Sequence, residues 1–180
     1  MRVISGEWRG RKLIAPKNDA TRPTADRTRE TLFSMLASRL GSFEGLYVAD
    51  LFAGSGALGI EALSRGAAHC LFSEQDRDAI DALRKNLAAL GAAGRADVRA
   101  GSVLALGPAP RSFDLLLLDA PYATGAGSVA LDKLSRLGWV DADSWISIET
   151  GEKESVDVAG FAIEAERKVG KVKLTLLRAD

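Results

Sequence analysis

The chain has 180 residues, of which 47% are hydrophobic and 27% are charged, which is typical of one soluble globular domain. A single cysteine and a single histidine exclude an internal disulfide framework and a multi-histidine metal site, and no apolar run has the ~18 residues of a membrane span, so we expect a metal-free cytoplasmic protein. The net charge is zero, but residues 1–40 hold 9 basic and 4 acidic side chains, whereas residues 41–160 hold 10 and 17.

The N-terminal part of the chain carries two predicted short strands and a helix. Residues 2–5 and 11–15 are expected to pair as a small β-hairpin, and the basic residues around its turn suggest a surface for phosphate groups. The helix is expected to begin near Asp26 or Thr28, either of which can cap it, and to end at Leu40.

From residue 45 onwards, predicted strands and helices alternate. Strands are expected at residues 46–51, 68–73, 96–100, 113–118 and 144–148. Helices are expected between them, at residues 57–65, 77–90 and 129–137, and a final antiparallel pair at residues 156–166 and 171–178. This alternation predicts a mostly parallel α/β sheet. We therefore divide the chain into an N-terminal basic hairpin extension, residues 1–20, and an α/β domain, residues 21–180.

A glycine-rich loop follows the first strand of this domain. Gly54 and Gly56 permit backbone angles that a Cβ would forbid and let a ligand approach the main chain, and the N-terminus of the next helix favours an anionic group. Glu74 ends the second strand, where an acid can bind both hydroxyls of a ribose. Nicotinamide-binding proteins share this spacing, but Asp50 before the loop suits the ammonium of a methionine-like ligand better than a pyrophosphate.

A second motif, Asp119-Ala120-Pro121-Tyr122, follows the fourth strand. In an open α/β sheet the strands end at one cleft, so Asp119 is expected beside the glycine loop. The Asp119 carboxylate and the Ala120 carbonyl can each accept one N–H of an exocyclic amine on a planar base, and Tyr122 can stack on that base. Guanine N2, adenine N6 and a glutamine amide all fit this pair of acceptors, so the motif alone does not choose among them.

Four segments together carry a family resemblance: the basic opening at residues 6–13, the Thr-Arg-Pro-Thr segment at residues 21–30, the glycine loop with its helix at residues 50–67, and the motif at residues 119–122. They resemble the RsmD-type 16S ribosomal RNA guanine-N2 methyltransferases of the class I methyltransferase superfamily, over nearly the whole chain. Ala120 stands where the family usually has proline, which is expected to lower the rate modestly. Ser102 stands where many relatives carry an aspartate, which is expected to weaken cofactor binding.

The resemblance implies a Rossmann-like class I methyltransferase domain with a seven-stranded sheet and S-adenosylmethionine as cofactor. It implies methyl transfer to N2 of a guanine in bacterial 16S rRNA, in the small ribosomal subunit or its precursor. The expected catalytic residues are Asp119, Ala120, Pro121 and Tyr122. The expected cofactor-binding residues are Thr24, Asp50, Phe52, Gly54, Ser55, Gly56, Glu74 and Ser102. The basic side chains expected to bind RNA are Arg9, Arg11, Lys12, Arg22, Arg27 and Arg29.

Two other classes of function stay open at this level. A nicotinamide-binding oxidoreductase would use the glycine loop, but it leaves the motif at residues 119–122 unexplained. A non-catalytic RNA-binding assembly factor would keep the fold, and the departures at Ala120 and Ser102 are compatible with it. The sequence does not identify the target nucleotide, nor does it choose between naked RNA and an assembled subunit. Nothing in it demands an oligomer, so a monomer is expected.

Overall fold

The computed structural model describes residues 1–16 and 23–180, apart from the side chains of Pro23 and Thr24. Within these residues the helices are α1 (Pro23–Leu40), α2 (Ala57–Ser64), α3 (Arg77–Ala89) and α4 (Ala126–Arg136). The strands are β1 (Tyr47–Leu51), β2 (His69–Glu74), β3 (Ala96–Ala100), β4 (Leu115–Leu118), β5 (Trp145–Gly151), β6 (Phe161–Val169) and β7 (Val172–Ala179). Short 3-10 turns, Ala93–Arg95 and Val103–Ala105, precede and follow β3. None of the helices described is both long and apolar enough to cross a membrane.

The seven strands of the described chain form one sheet in the order β3-β2-β1-β4-β5-β7-β6. β1 pairs in parallel with β2 on one side and β4 on the other, and β7 runs antiparallel to both β5 and β6. The predicted mostly parallel sheet with a C-terminal antiparallel pair is therefore confirmed. Because the direction of winding reverses between β1 and β4, a crevice opens at their carboxyl ends, where open α/β sheets bind ligands.

Apolar layers cover both faces of the sheet. Helices α1, α2 and α3 pack on one face through residues such as Leu36, Leu63 and Leu83, none of which is exposed. Helix α4 packs on the other face through Leu131 and Leu134. All four leucines of β4 are buried, as expected for a central strand that is covered on both sides.

The N-terminal segment pairs with itself less regularly than the predicted hairpin. Arg2 and Lys12 form an isolated antiparallel bridge, and the flanking Val3 N donates to Arg11 O at 2.9 Å. Regular strands do not extend from this bridge within residues 1–16. An isolated two-stranded hairpin is marginal in water, and the segment gains its order from the helices beneath it.

Helix α2 anchors this segment through two buried polar residues. The Glu61 carboxylate accepts hydrogen bonds from Ile4 N at 2.9 Å and Ser5 N at 3.1 Å. Ser64 Oγ accepts a hydrogen bond from Trp8 N at 3.0 Å. Trp8 is only 8% exposed and belongs to the apolar core, so its ring packs inside the fold and is not presented to a ligand.

Other predicted boundaries differ for physical reasons. Helix α1 already includes Pro23, the first residue of this described segment, so neither Asp26 nor Thr28 is its N-cap; a proline is tolerated in the first turn of a helix. Strand β6 begins at Phe161, not at residue 156. The alternating pattern before it reflects buried side chains in a loop and not strand pairing.

Candidate functional site

A cavity of about 420 Å³ opens at the carboxyl ends of β1 to β4. Its wall comes from the glycine loop after β1, the end of β2, the turn after β3 and the motif after β4. The lining residues are Phe52, Gly54, Ser73, Glu74, Gln75, Gly101, Ser102, Val103, Asp119, Ala120, Pro121 and Tyr122. The glycine loop and the second motif therefore meet at one cavity, as the winding of the sheet requires.

The glycine loop turns sharply between β1 and α2. Phe52 has a φ of 64° and Gly54 has a φ of 59°. A positive φ is uncommon for a residue other than glycine, so Phe52 is held in a strained conformation of the kind found at ligand sites. No described atom lies within 4 Å of the place that a Cβ on Gly54 would take. The main chain of Gly54 is therefore open to close approach by a ligand.

Ser55 and Gly56 lie behind the cavity wall. Both are buried, and neither lines the cavity. A Cβ on Gly56 would come within 2.3 Å of Leu83 Cδ1, so glycine lets the loop pack on α3. Ser55 O accepts a hydrogen bond from Asn86 Nδ2 at 3.1 Å. Their packing fixes the loop from behind, and the predicted cofactor contacts of these two residues stay predictions.

The Glu74 carboxylate lines the cavity and already holds three backbone N–H groups. Oε1 accepts from Gly54 N at 2.8 Å, and Oε2 accepts from Gln75 N at 2.9 Å and Asp76 N at 2.8 Å. A carboxylate offers about four acceptor positions, so about one is left for a ligand hydroxyl. Binding both hydroxyls of a ribose, as predicted, would require Glu74 to release one of these N–H groups.

Asp50 lies beneath the glycine loop and does not line the cavity. It is 1% exposed. Its Oδ2 accepts a hydrogen bond from Gly59 N at 2.9 Å, and its Oδ1 has no hydrogen-bond partner among the described residues. The predicted contact with a ligand ammonium is therefore corrected, because the side chain points from a buried strand to the start of α2 and holds that helix in place.

The buried position of Asp50 has a consequence for the pH dependence of stability. Burial raises its pKa from 3.8 to about 8, the Gly59 N–H opposes that rise, and the charge of Glu74 adds to it. Between these two pKa values the folded chain keeps a proton that the unfolded chain releases, so the free energy of unfolding falls as pH rises. An Asp50→Asn variant lacks this term. As pH rises from about 6 to 8, the free energy of unfolding of Asp50→Asn should therefore increase relative to that of the unmodified chain, by up to about 1.4 kcal/mol per pH unit.

Urea unfolding of both chains across that pH range measures the two free energies of unfolding. Subtracting one from the other removes the contribution of the titrating groups that the two chains share. Parallel pH profiles for the two chains would contradict a raised pKa at Asp50.

The motif after β4 starts at the edge of the cavity. Asp119 is exposed, and its N–H lies 3.5 Å from Leu51 O at the end of β1, so the parallel pairing of β1 and β4 sets its place. Ala120 is only 5% exposed. Thr124 Oγ1 donates to Pro121 O at 2.6 Å, which turns the chain towards α4.

Tyr122 lies among carboxylates. Its hydroxyl donates to Glu149 Oε2 at 2.6 Å, while the residue is 46% exposed. Partial burial, the hydrogen bond to Glu149 and the charges of Glu149, Asp119 and Glu154 raise the pKa of Tyr122 well above its ordinary value. The phenol therefore stays protonated at neutral pH, and this side of the cavity has a negative potential.

From the sequence, Glu149 is expected to end the fifth strand, where it can line the cleft or be a solvated acid. It lies instead within β5, because the pairing of β5 with β7 continues to Gly151, and it does not line the cavity. Sequence reasoning missed other residues of this site. The Glu154 carboxylate, in the loop that follows, reaches the backbone of Ala123. No spacing rule connects these positions. The wall residues Ser73, Gln75, Gly101 and Val103 were also missed, although all adjoin predicted strand ends.

Ser102 lines the cavity after β3. Its Oγ accepts a hydrogen bond from Leu104 N at 3.2 Å, which leaves one acceptor position and the hydroxyl proton for a ligand. Thr24 lies in the first turn of α1, but its side chain is outside the described part of the chain, and so is the whole of Arg22. The roles of Thr24 and Arg22 stay predictions.

The predicted RNA-binding residues divide into exposed and buried side chains. Those exposed are Arg9, Arg11, Lys12 and Arg27. Arg29 is 4% exposed and forms ion pairs with Asp26 at 3.2 Å and Glu61 at 3.7 Å, and it donates to Arg2 O. The prediction for Arg29 is wrong, because its guanidinium is used inside the fold to hold the N-terminal segment.

The exposed basic turn lies well away from the cavity. Arg11 Nη2 donates to Ala89 O at the C-terminal end of α3, whereas Asp76, at the other end of α3, contacts Glu74 on the cavity wall. Helix α3 has 13 residues, so the two ends are separated by about 20 Å. A ligand that contacts both the turn and the cavity must therefore be large.

The cavity has the size and lining of a small-molecule site. Its volume of about 420 Å³ falls in the range of about 300–1,000 Å³ that small-molecule sites occupy. Gly54 offers open main chain, and Glu74 and Ser102 each keep hydrogen-bonding capacity. Phe52 and Val103 supply apolar wall for a ring system.

Comparisons with known proteins agree with this arrangement. The family described as Conserved hypothetical protein 95 matches residues 1–178. The chain is 35% identical over 182 residues to the ribosomal RNA small subunit methyltransferase D of Escherichia coli strain K12, covering 100% of this chain and 90% of that protein. It is 35% identical over 181 residues to the protein of the same name from Haemophilus influenzae, covering 98% and 92%.

Among solved structures, the Escherichia coli protein yhhF superposes with a TM-score of 0.86 at 37% identity, over 100% of this chain and 98% of that one. The match includes the glycine loop, the second motif and the N-terminal segment, since all lie within the matched residues. The chain therefore belongs to the Conserved hypothetical protein 95 family, the RsmD-type family of class I methyltransferases that its motifs resemble.

Proposed function

We propose that this chain transfers a methyl group from S-adenosylmethionine to the exocyclic N2 atom of a guanine in 16S rRNA of the small ribosomal subunit. The observation that carries the proposal is the meeting of the glycine loop and the motif at residues 119–122 at one cavity. Relatives named ribosomal RNA small subunit methyltransferase D support RNA as the substrate class. The resemblance of the whole chain to the guanine-N2 family supports guanine as the base.

When bound, S-adenosylmethionine supplies an electrophilic methyl group on a sulfonium. Three groups on the wall are suited to hold it: the open main chain of Gly54, the remaining acceptor position of Glu74 and the hydroxyl of Ser102. Asp50 contributes indirectly, by fixing the start of α2 behind the loop.

An exocyclic amine is a weak nucleophile, because its lone pair is delocalised into the ring of the base. In our proposal a carboxylate oxygen of Asp119 and the carbonyl oxygen of Ala120 each accept one N–H of the amine. Held in this way, the lone pair is aimed at the methyl donor. Asp119 then takes the proton that the amine loses.

The acidic surroundings of Tyr122 favour a substrate of this kind. The carboxylates of Asp119 and Glu149 stabilise the positive charge that develops on the amine during transfer. The hydrogen bond from the Tyr122 hydroxyl to Glu149 restrains the ring. The exposed part of the ring is available to stack on the base, and such stacking contributes about 1–3 kcal/mol. A base bound in this way has left its helical stack.

The exposed basic side chains are proposed to bind RNA phosphates. Residues 1–20 would act as the RNA-contacting extension of the methyltransferase domain at residues 21–180, with Arg9, Arg11 and Lys12 at the far end of α3. The distance of about 20 Å from the cavity suits a folded RNA or a subunit better than a short single strand. Such a substrate also implies a cytoplasmic protein, and we propose that it acts as a monomer.

Replacing Arg9 and Lys12 by glutamine should weaken RNA binding equally for all sequences. Removal of each phosphate-binding cation should reduce the slope of log K against log salt by about 0.7–0.9, so the variant that lacks both should lose about 1.4–1.8. Binding to 16S rRNA measured over a series of salt concentrations gives both quantities. Arg136→Gln is the matched control, because Arg136 is an exposed basic residue on α4. If the variant has the same salt slope as the unmodified chain, Arg9 and Lys12 do not contact RNA phosphates.

Transfer of a labelled methyl group from S-adenosylmethionine tests the proposed function. The substrates to compare are small subunits lacking base methylation, naked 16S rRNA, large subunits and a glutamine-containing protein substrate. Label in the small subunit or its RNA alone is the expected result. Label in protein would favour the glutamine amide instead. Binding of a nicotinamide cofactor without methyl transfer would favour an oxidoreductase, and RNA binding without transfer would favour an assembly factor.

A further inference from the structure

One side chain links the catalytic motif to the neighbouring strand. Glu154 lies in the loop after β5, and its two carboxylate oxygens accept hydrogen bonds from two backbone N–H groups. Oε1 accepts from Ala123 N at 2.8 Å, and Oε2 accepts from Gly151 N at 2.6 Å. Ala123 directly follows Tyr122, so the carboxylate spans the gap between the motif after β4 and the end of β5.

The residue that Glu154 holds has an unusual backbone. Ala123 has a φ of 61°, in the left-handed region that L-residues other than glycine rarely adopt. A hydrogen bond from its N–H to a carboxylate is charge-assisted and stronger than one between neutral groups. The chain needs this conformation to reverse from Tyr122 into α4, and Glu154 supplies the interaction that offsets its strain.

Glu154 is itself held in place. Its backbone carbonyl accepts a hydrogen bond from Lys173 Nζ on β7, and Lys173 is only 8% exposed. The same part of the chain also holds Tyr122, through Glu149. The motif is therefore restrained at two successive residues, 122 and 123, from one side. This restraint bears on the motif itself, because Tyr122 is its last residue and Ala123 follows directly.

We propose that Glu154 is a positioning residue that, through Ala123, fixes the placement of the motif at residues 119–122 for methyl transfer. It acts without touching the substrate, since it does not line the cavity. The inference rests on the proposed function of that motif. It goes further by assigning the rigidity of the motif to a residue more than thirty positions away in sequence.

The test compares Glu154→Gln and Glu154→Asp with Glu152→Gln as the matched control from the same loop. Glutamine keeps one acceptor oxygen, but its NH2 group would face one of the two backbone N–H groups. Aspartate keeps the charge, but its side chain is one methylene too short to reach both N–H groups. Amide hydrogen exchange by NMR reports on Ala123 and Gly151, and kinetics report on kcat and on KM for S-adenosylmethionine. Thermal unfolding identifies any variant in which the fold as a whole is disrupted.

In both Glu154 variants we expect the exchange of the Ala123 amide to rise, and kcat to fall about tenfold, as for loss of one hydrogen bond to a charged group. KM for the cofactor should stay within about twofold, because the glycine loop and Glu74 do not depend on Glu154. Glu152→Gln should match the unmodified chain. Unchanged exchange at Ala123, or faster exchange with unchanged kcat, would overturn the proposal.

The two proposals fail in different ways. An unmodified chain that transfers no methyl group refutes the proposed function, and the catalytic role of Glu154 with it. An active unmodified chain whose Glu154 variants keep full kcat refutes the positioning role alone.

Discussion

Asp119→Ala should lower the rate of methyl transfer to small subunits by about 10²–10⁴-fold. The variant removes both an acceptor for the amine N–H and the group that takes the proton. Cofactor binding should change little, because its proposed holding groups are Gly54, Glu74 and Ser102. Single-turnover transfer of labelled methyl measures the rate, and isothermal titration with S-adenosylmethionine measures cofactor affinity.

Two further variants make this expectation sharper. Asp119→Asn keeps one acceptor oxygen and loses the charge, so it should retain more activity than Asp119→Ala but well below that of the unmodified chain. Asp143→Ala is the matched control, because the Asp143 side chain is 98% exposed and lies before the first residue of β5, at the opposite end of that strand from the cavity. Asp119→Ala with the rate of the control would show that this carboxylate has no part in the chemistry.

Glu61→Ala should destabilise the fold by about 3–5 kcal/mol, as expected when one partner of a buried ion pair is removed. Glu61 is fully buried and contacts Arg29, Arg65 and the N–H groups of Ile4 and Ser5. The truncation would leave the buried guanidinium of Arg29 with Asp26 as its remaining carboxylate. Denaturant unfolding measures the free energy, with Glu30→Ala as the control, since Glu30 is exposed on α1.

Hydrogen exchange locates the effect of this change. The amides of Ile4 and Ser5 should lose protection from exchange in Glu61→Ala. In Glu30→Ala their protection should not change, and the free energy of unfolding should stay within about 0.5 kcal/mol of that of the unmodified chain. A destabilisation below about 1 kcal/mol would contradict the view that α2 anchors the N-terminal segment through Glu61.

The sequence predicted those parts of the fold that rest on local patterns. Apolar strands such as β4, and the Gly54 and Gly56 loop with its following helix, follow from burial and backbone freedom, which neighbouring residues determine. The meeting of Asp119 with that loop followed from the topology rule for strand ends. These features need only the identity of nearby residues and the order of the elements.

Contacts between distant residues were beyond such rules. The prediction of Arg29 as a surface cation fails because its partner Glu61 is 32 positions away and lies in a helix that otherwise looks apolar. The one local signal was the presence of Glu61 and Ser64 on that apolar helix, since buried polar groups need partners. The prediction of Asp50 in the cavity fails because an acid at a strand end has two possible directions, and the sequence does not choose between them.

The loop residues were the hardest to predict. Glu154 accepts hydrogen bonds from two backbone N–H groups. Because nearly every residue has a backbone N–H, the identity of the partner residues does not reveal such a contact. Tyr122 was expected to stack on the base, and the hydrogen bond of its hydroxyl to Glu149 was not foreseen. Both contacts depend on how β5 extends beyond its predicted end.

Nucleoside mass spectrometry of small ribosomal subunits, after incubation with this protein and S-adenosylmethionine, tests the central claim most directly. We predict N2-methylguanosine as the new nucleoside, present with the unmodified chain and absent with Asp119→Ala. N6-methyladenosine, or no methylated nucleoside despite measurable binding of the cofactor, would contradict it.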